Sequence, residues 1–186
     1  MDHIYEMSCF GEPWFTYPDF YRELISHLPD QSSFVEVGSW KGKSSAFFVV
    51  EAFNSGKKIN AFFVDTWKGS DEHEQMDVIK TDSLYDLFVN NMKPLEGMFT
   101  AIRKTSVEAA KEFADESLDA VFLDAAHDYE SVKADIGAWI EKIKPNGIIS
   151  GHDYLFPGVK SAVDEYFGDA VVFRSPMENC WIVQVA

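Results

Sequence analysis

The chain is poor in cysteine and has no long apolar run. Its 186 residues include two cysteines, Cys9 and Cys180. Two are too few for a disulfide framework or a zinc-ligand pattern, so we expect both to be reduced and structural. No apolar run approaches the roughly 20 residues that cross a bilayer, and residues 1–14 lack the basic and apolar regions of a signal peptide. We therefore expect a soluble, cytoplasmic protein.

Positive charge is also scarce. Lys and Arg number 16 against 31 Asp and Glu, which gives a formal net charge of −15. Such a field repels phosphate backbones and anionic lipids, so we expect neither nucleic acid nor a membrane as a partner. Two explanations of this negative charge stay open: solubility alone, or attraction of a cationic ligand.

The hydrophobic share of 46% is enough for one sizeable core but not for two. We expect a single domain over residues 1–186, with a lead and first helix over 1–30 and the main core over 31–186.

Five short runs rich in Val, Ile and Phe predict β-strands. They are SSFVEV (32–37), INAFFVD (59–65), MFTAI (98–102), LDAVFLD (118–124) and GIISGHD (147–153). Stretches of helical period separate them, beginning near Lys43, Asp82, Ser106 and Tyr129. This alternation is typical of a parallel sheet with crossover helices.

The end of the chain follows another pattern. A helix from about Val159 to Phe167 precedes two apolar runs, 170–175 and 180–186, joined by the turn-like PMEN at 176–179. These runs predict an antiparallel hairpin. We expect an α/β fold: a Rossmann-like, doubly wound, seven-stranded and mostly parallel sheet with a C-terminal antiparallel hairpin.

Two further stretches allow local predictions. An apolar stripe predicts a helix that stops at residues 144–147, and its members are Val132, Ile136, Trp139, Ile140 and Ile143. The polar stretch 68–83 lacks periodicity, so we expect an irregular, mobile insertion there.

Polar residues lie where four of the predicted strands end. They are Glu36 before Gly38, Asp65 before Thr66 and Trp67, Asp124, and His152 with Asp153. Ligands of open parallel sheets bind beyond the carboxyl ends of the strands, near the switch in strand order. We therefore expect a ligand site at this edge.

The loop after the first strand has the composition of a binding loop. Gly38 and Gly42 allow a tight turn and close approach to a ligand, and Ser44 opens the next helix with free amides. Two glycines are commonly turn residues only, and Asp65 could be a helix cap. However, an acid at the end of the second strand accepts hydrogen bonds from ribose hydroxyls. Together the two features favour a nucleoside ligand.

The segments FVEVGSWKGKSS (34–45) and FFVDTW (62–67) resemble the first two motifs of class I methyltransferases that use S-adenosylmethionine. The spacing acid-x-Gly-x-x-x-Gly-x-Ser resembles that of their small-molecule O-methyltransferase branch. Segments 118–136 and 144–154 are similar to the metal-binding and catalytic segments of catechol-type and macrolide-sugar O-methyltransferases.

The resemblance implies that S-adenosylmethionine is the cofactor. The residues that it implies around the cofactor are Glu36, Gly38, Ser39, Trp40, Gly42, Ser44, Asp65, Thr66, Trp67, Ser106 and Asp124. Gly38 and Ser44 would hold the methionine end, Asp65 the ribose hydroxyls, and Ser106 with Trp67 would surround the adenine.

The resemblance also implies a divalent metal, Mg²⁺ or Mn²⁺, bound by Asp124 and Asp153. The third ligand position falls on His152, where such enzymes usually have Asp or Glu. Asp124 and His127 would be catalytic, because a bound cation stabilises an alkoxide and an imidazole can take the acceptor's proton at neutral pH.

These residues imply O-methylation of a hydroxylated small molecule, a sugar or a phenol. Two alternatives stay open: an NAD(P)-dependent oxidoreductase on a Rossmann sheet, and a non-catalytic cofactor-binding module. The acids could also be loop or capping residues, and the two histidines structural. The aromatic residues Trp14, Phe15 and Tyr17 could form a lid or pack on the core or on a second subunit of a homo-oligomer.

Overall fold

Strands and helices alternate along the part of the chain that the computed structural model describes, residues 1–70 and 73–186. The strands are β1 (Ser33–Val37), β2 (Asn60–Asp65), β3 (Phe99–Arg103), β4 (Leu118–Leu123), β5 (Ile143–Gly151), β6 (Val172–Phe173) and β7 (Trp181–Gln184). The helices are α1 (Pro18–His27), α2 (Lys43–Asn54), α3 (Asp77–Lys80), α4 (Leu84–Met92), α5 (Ser106–Ala110), α6 (Tyr129–Trp139) and α7 (Pro157–Phe167). Within these described residues, no helix has the length and apolar character that a bilayer crossing needs.

All the strands join one sheet in the order β3-β2-β1-β4-β5-β7-β6. Strands β1 to β5 run parallel. The chain builds outward from β1 to β3 and then crosses to β4 on the other side of β1, so the switch in strand order lies between β1 and β4. The predicted Rossmann-like, doubly wound fold is confirmed.

Two apolar layers cover the two faces of the sheet. In β1, Phe34 belongs to the core beneath α1, α2 and α4, whereas its neighbour Val35 belongs to the core beneath α5, α6 and α7. The same alternation continues in β4 with Phe122 and Val121. Because successive side chains of a strand point to opposite faces, a strand buried on both faces is apolar throughout.

The predicted C-terminal hairpin is present. Strand β7 pairs antiparallel with β5 and with β6. Strand β6 has only two residues and forms the edge of the sheet. The turn between these strands brings residues 176–179 back toward β5.

The predicted end of the helix before β5 is wrong. Helix α6 ends at Trp139, a 3₁₀ turn covers Ile140–Lys142, and β5 already begins at Ile143. Residues 144–147 therefore lie inside β5 and not in a helix stop. The reason is pairing: Ile143 lies opposite Leu118 of β4, and its side chain is buried.

The stretch 68–83 is more regular than expected, since α3 lies within it. Residues 71–72 of this stretch lie outside the described residues. Helix α4 begins at Leu84 instead of near 82. Helix α5 is a single short turn, capped by Thr105, whose hydroxyl accepts the N–H of Glu108 in a capping box.

The ends of β1 and β4 are packed closely at the switch point. The N–H of Asp124 donates to the carbonyl of Val37 at 2.8 Å. Gly38 has a φ of 94°, and a Cβ at this position would lie 1.9 Å from the carbonyl oxygen of Asp124. Only glycine fits both the backbone conformation and the space.

We expect Gly38→Ala to destabilise the fold by several kcal/mol, because a left-handed backbone costs about 1–2 kcal/mol and the backbone clash adds to it. Gly56→Ala is a matched control, since Gly56 has a φ of 75° but a Cβ there would have no atom within 4 Å. Its cost should be about 1 kcal/mol. Urea unfolding measures both. Equal costs for the two variants would contradict the proposed packing constraint.

Candidate active site

A cavity of about 750 Å³ opens at the carboxyl ends of the strands, beside the switch point. Many of the predicted site residues line it together: Gly38, Ser39, Trp40, Ser44, Asp65, Thr66, Ser106, Asp124, His127, His152 and Asp153. Parallel strands bring these side chains to one edge although they come from distant parts of the sequence. Three predicted cofactor residues, Glu36, Gly42 and Trp67, do not line the cavity.

Trp67 is part of the core and not of the cavity wall. Its side chain is fully buried and packs against Tyr85 and Phe88, with ring centroids 4.8 and 4.6 Å away. Its indole Nε1 donates to the carbonyl of Trp40 at 2.8 Å. The structure therefore places Trp67 beneath the loop and outside the cavity lining, where its ring has no direct access to a ligand.

Gly42 serves packing as well. It has a φ of 87°, and a Cβ here would lie 3.0 Å from the side chain of Met92. The glycine therefore allows α2 to begin directly above α4.

Glu36 lies beneath the loop, fully buried on the α1 and α2 side of β1. Its carboxylate accepts the hydroxyl of Tyr21 at 2.7 Å and the hydroxyl of Ser45 at 2.5 Å. Burial raises the pKa of Glu36 to about 7, although these hydroxyl groups favour its charged form. The residue supports the loop and has no direct access to a ligand in the cavity.

One wall of the cavity has the chemistry for a nucleoside with a carboxylate. Asp65 accepts the N–H of Trp40 at 2.8 Å and that of Trp67 at 2.7 Å, and burial raises its pKa. Helix α2 begins at Lys43 without a side-chain cap, so its first N–H groups remain available as donors.

The opposite wall contains a cluster of two acids and two imidazoles, Asp124, His127, His152 and Asp153, which we call the acid–imidazole cluster. His152 Nδ1 lies 3.1 Å from Asp153 Oδ2 and 3.5 Å from Asp124 Oδ1. His127 Nε2 lies 2.9 Å from Asp153 Oδ2. Asp124, His152 and Asp153 each offer a ligand atom within 4.8 Å of the other two.

Proton affinities in this cluster are strongly shifted. Burial alone would lower the pKa of His152, but the carboxylates of Asp124 and Asp153 outweigh it and raise the pKa to about 10. Burial opposes ionisation of Asp153, yet hydrogen bonds from His127 and His152 hold its pKa well below the usual range. Shifts of this kind are common at functional sites.

The lead before α1 forms part of the cavity wall. Tyr17 is buried and donates its hydroxyl to Asp124 Oδ2 at 2.7 Å. Trp14 is half exposed, and its ring centroid lies 5.5 Å from that of Trp40. Glu12 binds Lys41 at 2.7 Å and thereby fastens the lead to the loop. Tyr17 and Phe15 pack on the core, as one alternative for this segment predicted. Together with Trp14 they also line the cavity.

Several wall residues were not predicted from the sequence. Thr16, Phe156 and Met177 line the cavity, but nothing in their local sequence marks them. Glu12 and Lys41 are 29 positions apart, so their pairing has no sequence signal either.

A family model described as a methyltransferase domain matches residues 35–154. The chain belongs to this methyltransferase family. The match runs from the middle of β1 past the end of β5 and includes the whole acid–imidazole cluster. It confirms the resemblance carried by the sequence motifs.

A curated relative and several solved structures are also similar to this methyltransferase chain. The uncharacterized protein y4gI of Sinorhizobium fredii is 29% identical over 161 residues, which are 87% of this chain but 17% of that protein. The O-methyltransferase NovP has a TM-score of 0.66 and 16% identity, covering 91% of this chain and 79% of its own.

Two further structures share the fold at low identity. CalS11, a TDP-rhamnose 3'-O-methyltransferase of calicheamicin biosynthesis, has a TM-score of 0.59 and 12% identity over 90% of this chain and 76% of its own. The Podospora anserina methyltransferase PaMTH1, solved with SAH bound, has a TM-score of 0.65 and 11% identity over 91% of this chain and 77% of its own.

The buried carboxyl of Glu36 should make the stability of this methyltransferase depend on pH. Because the pKa is about 7 in the folded chain against an ordinary 4.5, the folded state binds more protons between these values. Stability is therefore fully present below pH 4.5 and is lost as pH rises to 7, by about 3 kcal/mol. Urea unfolding of Glu36→Gln should show a flatter profile between pH 5 and 8.

Glu96→Gln, at an exposed position, serves as the matched control and should keep the wild-type profile. The same pH profile in wild type and Glu36→Gln would show that Glu36 does not carry the effect.

Proposed function

We propose that the protein transfers the methyl group of S-adenosylmethionine to a hydroxyl oxygen of a small molecule, with help from a divalent cation. One observation carries this proposal: a single cavity joins the wall of Asp65 and α2 to the acid–imidazole cluster. Methyl transfer needs a donor and an acceptor held in line, about 3 Å apart, and these two walls offer places for both.

The cofactor half of the cavity fits S-adenosylmethionine. The Asp65 carboxylate lines the cavity and has lone pairs left for two ribose hydroxyls. The first N–H groups of α2, with Ser44, suit the carboxylate of the methionine end. When bound, the cofactor supplies a methyl group on a sulfonium, and the protein's part is to orient it.

The other half fits a divalent cation. Asp124 and Asp153 offer hard oxygen ligands and His152 offers a nitrogen, and these three atoms lie within 4.8 Å of one another. Such a mixed set suits Mn²⁺ better than Mg²⁺, because imidazole is not a preferred Mg²⁺ ligand. A cation there supplies positive charge that lowers the pKa of an acceptor hydroxyl.

His127 is the residue we assign to proton removal. Its Nε2 lies 2.9 Å from Asp153 Oδ2, and its side chain lines the cavity. Asp153 orients the imidazole and stabilises the charge that it gains on taking a proton.

The choice of oxygen as the methylated atom rests on the cluster and on two structural relatives. Polarisation by a cation beside a base suits a hydroxyl group. NovP and CalS11, which share the fold, are both O-methyltransferases. The family match disfavours the NAD(P)-dependent oxidoreductase, and no contact in the cavity favours a purely non-catalytic module.

We expect S-adenosylhomocysteine to bind and NAD not to bind, as measured by calorimetry. Asp65→Asn should weaken S-adenosylhomocysteine binding by about tenfold or more, because hydrogen bonds to a charged group contribute about 1.5–3 kcal/mol. Asp169→Asn, at an exposed position in a short 3₁₀ turn, should leave binding unchanged. Tight NAD binding without S-adenosylhomocysteine binding would refute the proposal.

We expect one Mn²⁺ ion to bind per chain. Asp153→Asn should weaken Mn²⁺ binding about tenfold or more, since a carboxylate ligand is lost. Asp153 has a φ of 56°, a conformation that asparagine tolerates, so the variant should fold. Mn²⁺ binding is followed by electron paramagnetic resonance, with Asp169→Asn as the control.

Methyl transfer should also fall when a chelator is added, while S-adenosylhomocysteine binding persists. Undiminished, chelator-resistant transfer in Asp153→Asn would remove the metal from the proposal.

A further inference from the structure

Three apolar residues line the cavity on the side of His127, and the described lining residues there include no lysine or arginine. They are Phe156, Pro176 and Met177, which we call the acceptor wall. From this wall we infer that the acceptor is an uncharged molecule with an apolar ring next to its hydroxyl groups, and not a phosphorylated or nucleotide-linked one. This inference rests on the proposed methyl transfer.

Phe156 is placed beside the proposed base. Its ring centroid lies 4.8 Å from that of His127, with 31° between the ring planes. Its backbone N–H donates to the carbonyl of Asp153 at 2.8 Å. The ring is 44% exposed, so part of its surface remains free to cover an apolar ligand next to the reacting oxygen.

The turn at 176–179 is tied to the same loop. The amide Nδ2 of Asn179 donates to Asp153 Oδ1 at 3.1 Å, and its Oδ1 accepts the N–H of Leu155 at 2.9 Å. These bonds hold Pro176 and Met177 at the cavity. Met177 is 82% exposed, and a large apolar side chain exposed next to an exposed phenylalanine indicates a binding surface.

The cations of the cavity lie on its other side. Among the described lining residues, lysine occurs at three positions, all from the loop after β1, the start of α2 or the end of β3: Lys41, Lys43 and Lys104. Lys41 binds Glu12, and Lys104 binds Glu112. Near the acceptor wall the charged groups of the described residues include those of the acid–imidazole cluster, whose histidines already face Asp124 and Asp153. They also include Arg174, which is paired with Glu23 and Glu178 and does not line the cavity.

The nearest helix start does not provide an anion site. Helix α7 begins at Pro157, which has no N–H, and a Cβ at Gly158 would lie 2.4 Å from the carbonyl of His127. The 127–129 loop therefore covers the first turn of α7. A phosphate carried beyond the ring, against Phe156 and Met177, would lie away from the cluster and its proposed cation. The described lining residues on that side offer no lysine or arginine to pair with it, in a chain of net charge −15.

The acceptor class is tested with two probes that share one catechol ring: 4-tert-butylcatechol, and a catechol whose side chain ends in a phosphate. Calorimetry measures the binding of each probe to the protein with S-adenosylhomocysteine and Mn²⁺ present. Transfer of a radiolabelled methyl group is measured separately. We expect the neutral probe to bind at least about tenfold more tightly than the phosphate.

Two alanine variants test the wall itself. Phe156→Ala should weaken binding of the neutral probe about tenfold, because roughly 50 Å² of apolar contact is lost. Binding of S-adenosylhomocysteine should stay unchanged. Phe53→Ala is the matched control, since Phe53 is another half-exposed phenylalanine, 54% exposed at the end of α2 and outside the cavity lining. It should change nothing.

Tighter binding of the phosphate probe, binding of neither probe, or equal effects of the two phenylalanine variants would overturn the acceptor assignment. Loss of the proposed function has a different signature. In that case S-adenosylhomocysteine does not bind, or the neutral probe binds at the acceptor wall without receiving a methyl group.

Discussion

The close packing of Gly38 against the Asp124 carbonyl is the constraint on which the site depends. Backbone hydrogen bonds join the ends of three strands at this point: Gly38 donates to Val64 at 2.8 Å, and Asp124 donates to Val37 at 2.8 Å. Asp65 follows directly on Val64 in β2. The wall of Asp65 and α2 and the acid–imidazole cluster are therefore held at a fixed separation. In a reaction governed by the distance between two bound molecules, that separation is what the fold supplies.

The strands were predictable because their sequences fit a buried parallel strand and no other element. A run such as residues 118–123 is short, apolar on both faces and closed by polar residues, which suits a buried parallel strand. The end of α6 was not predictable for the opposite reason. Ile140 and Ile143 fit an apolar helical stripe and an apolar strand equally well, and only the pairing of Ile143 with Leu118 decides.

The site divides in the same way. Asp65, Asp124 and Asp153 were predictable as neighbours, because the carboxyl ends of parallel strands meet at one edge. The sequence does not show where the side chain of Trp67 lies. The backbone is left-handed at this residue, with a φ of 52°, and the ring is buried in the core. The hydrogen bond from Tyr17 to Asp124 joins residues 107 positions apart in the sequence, so no local sequence pattern predicts it.

Under the proposed function, a proton and a cation would compete for the acid–imidazole cluster. Nδ1 of His152 faces both carboxylates, and their charge holds a proton on the imidazole. An imidazole binds a metal only through a deprotonated nitrogen, so ligation by His152 requires that proton to leave. One imidazolium neutralises half of the charge of the two carboxylates, and a divalent cation would neutralise all of it. The protonated histidine thereby helps to keep two half-buried acids compatible with the fold when no cation is bound.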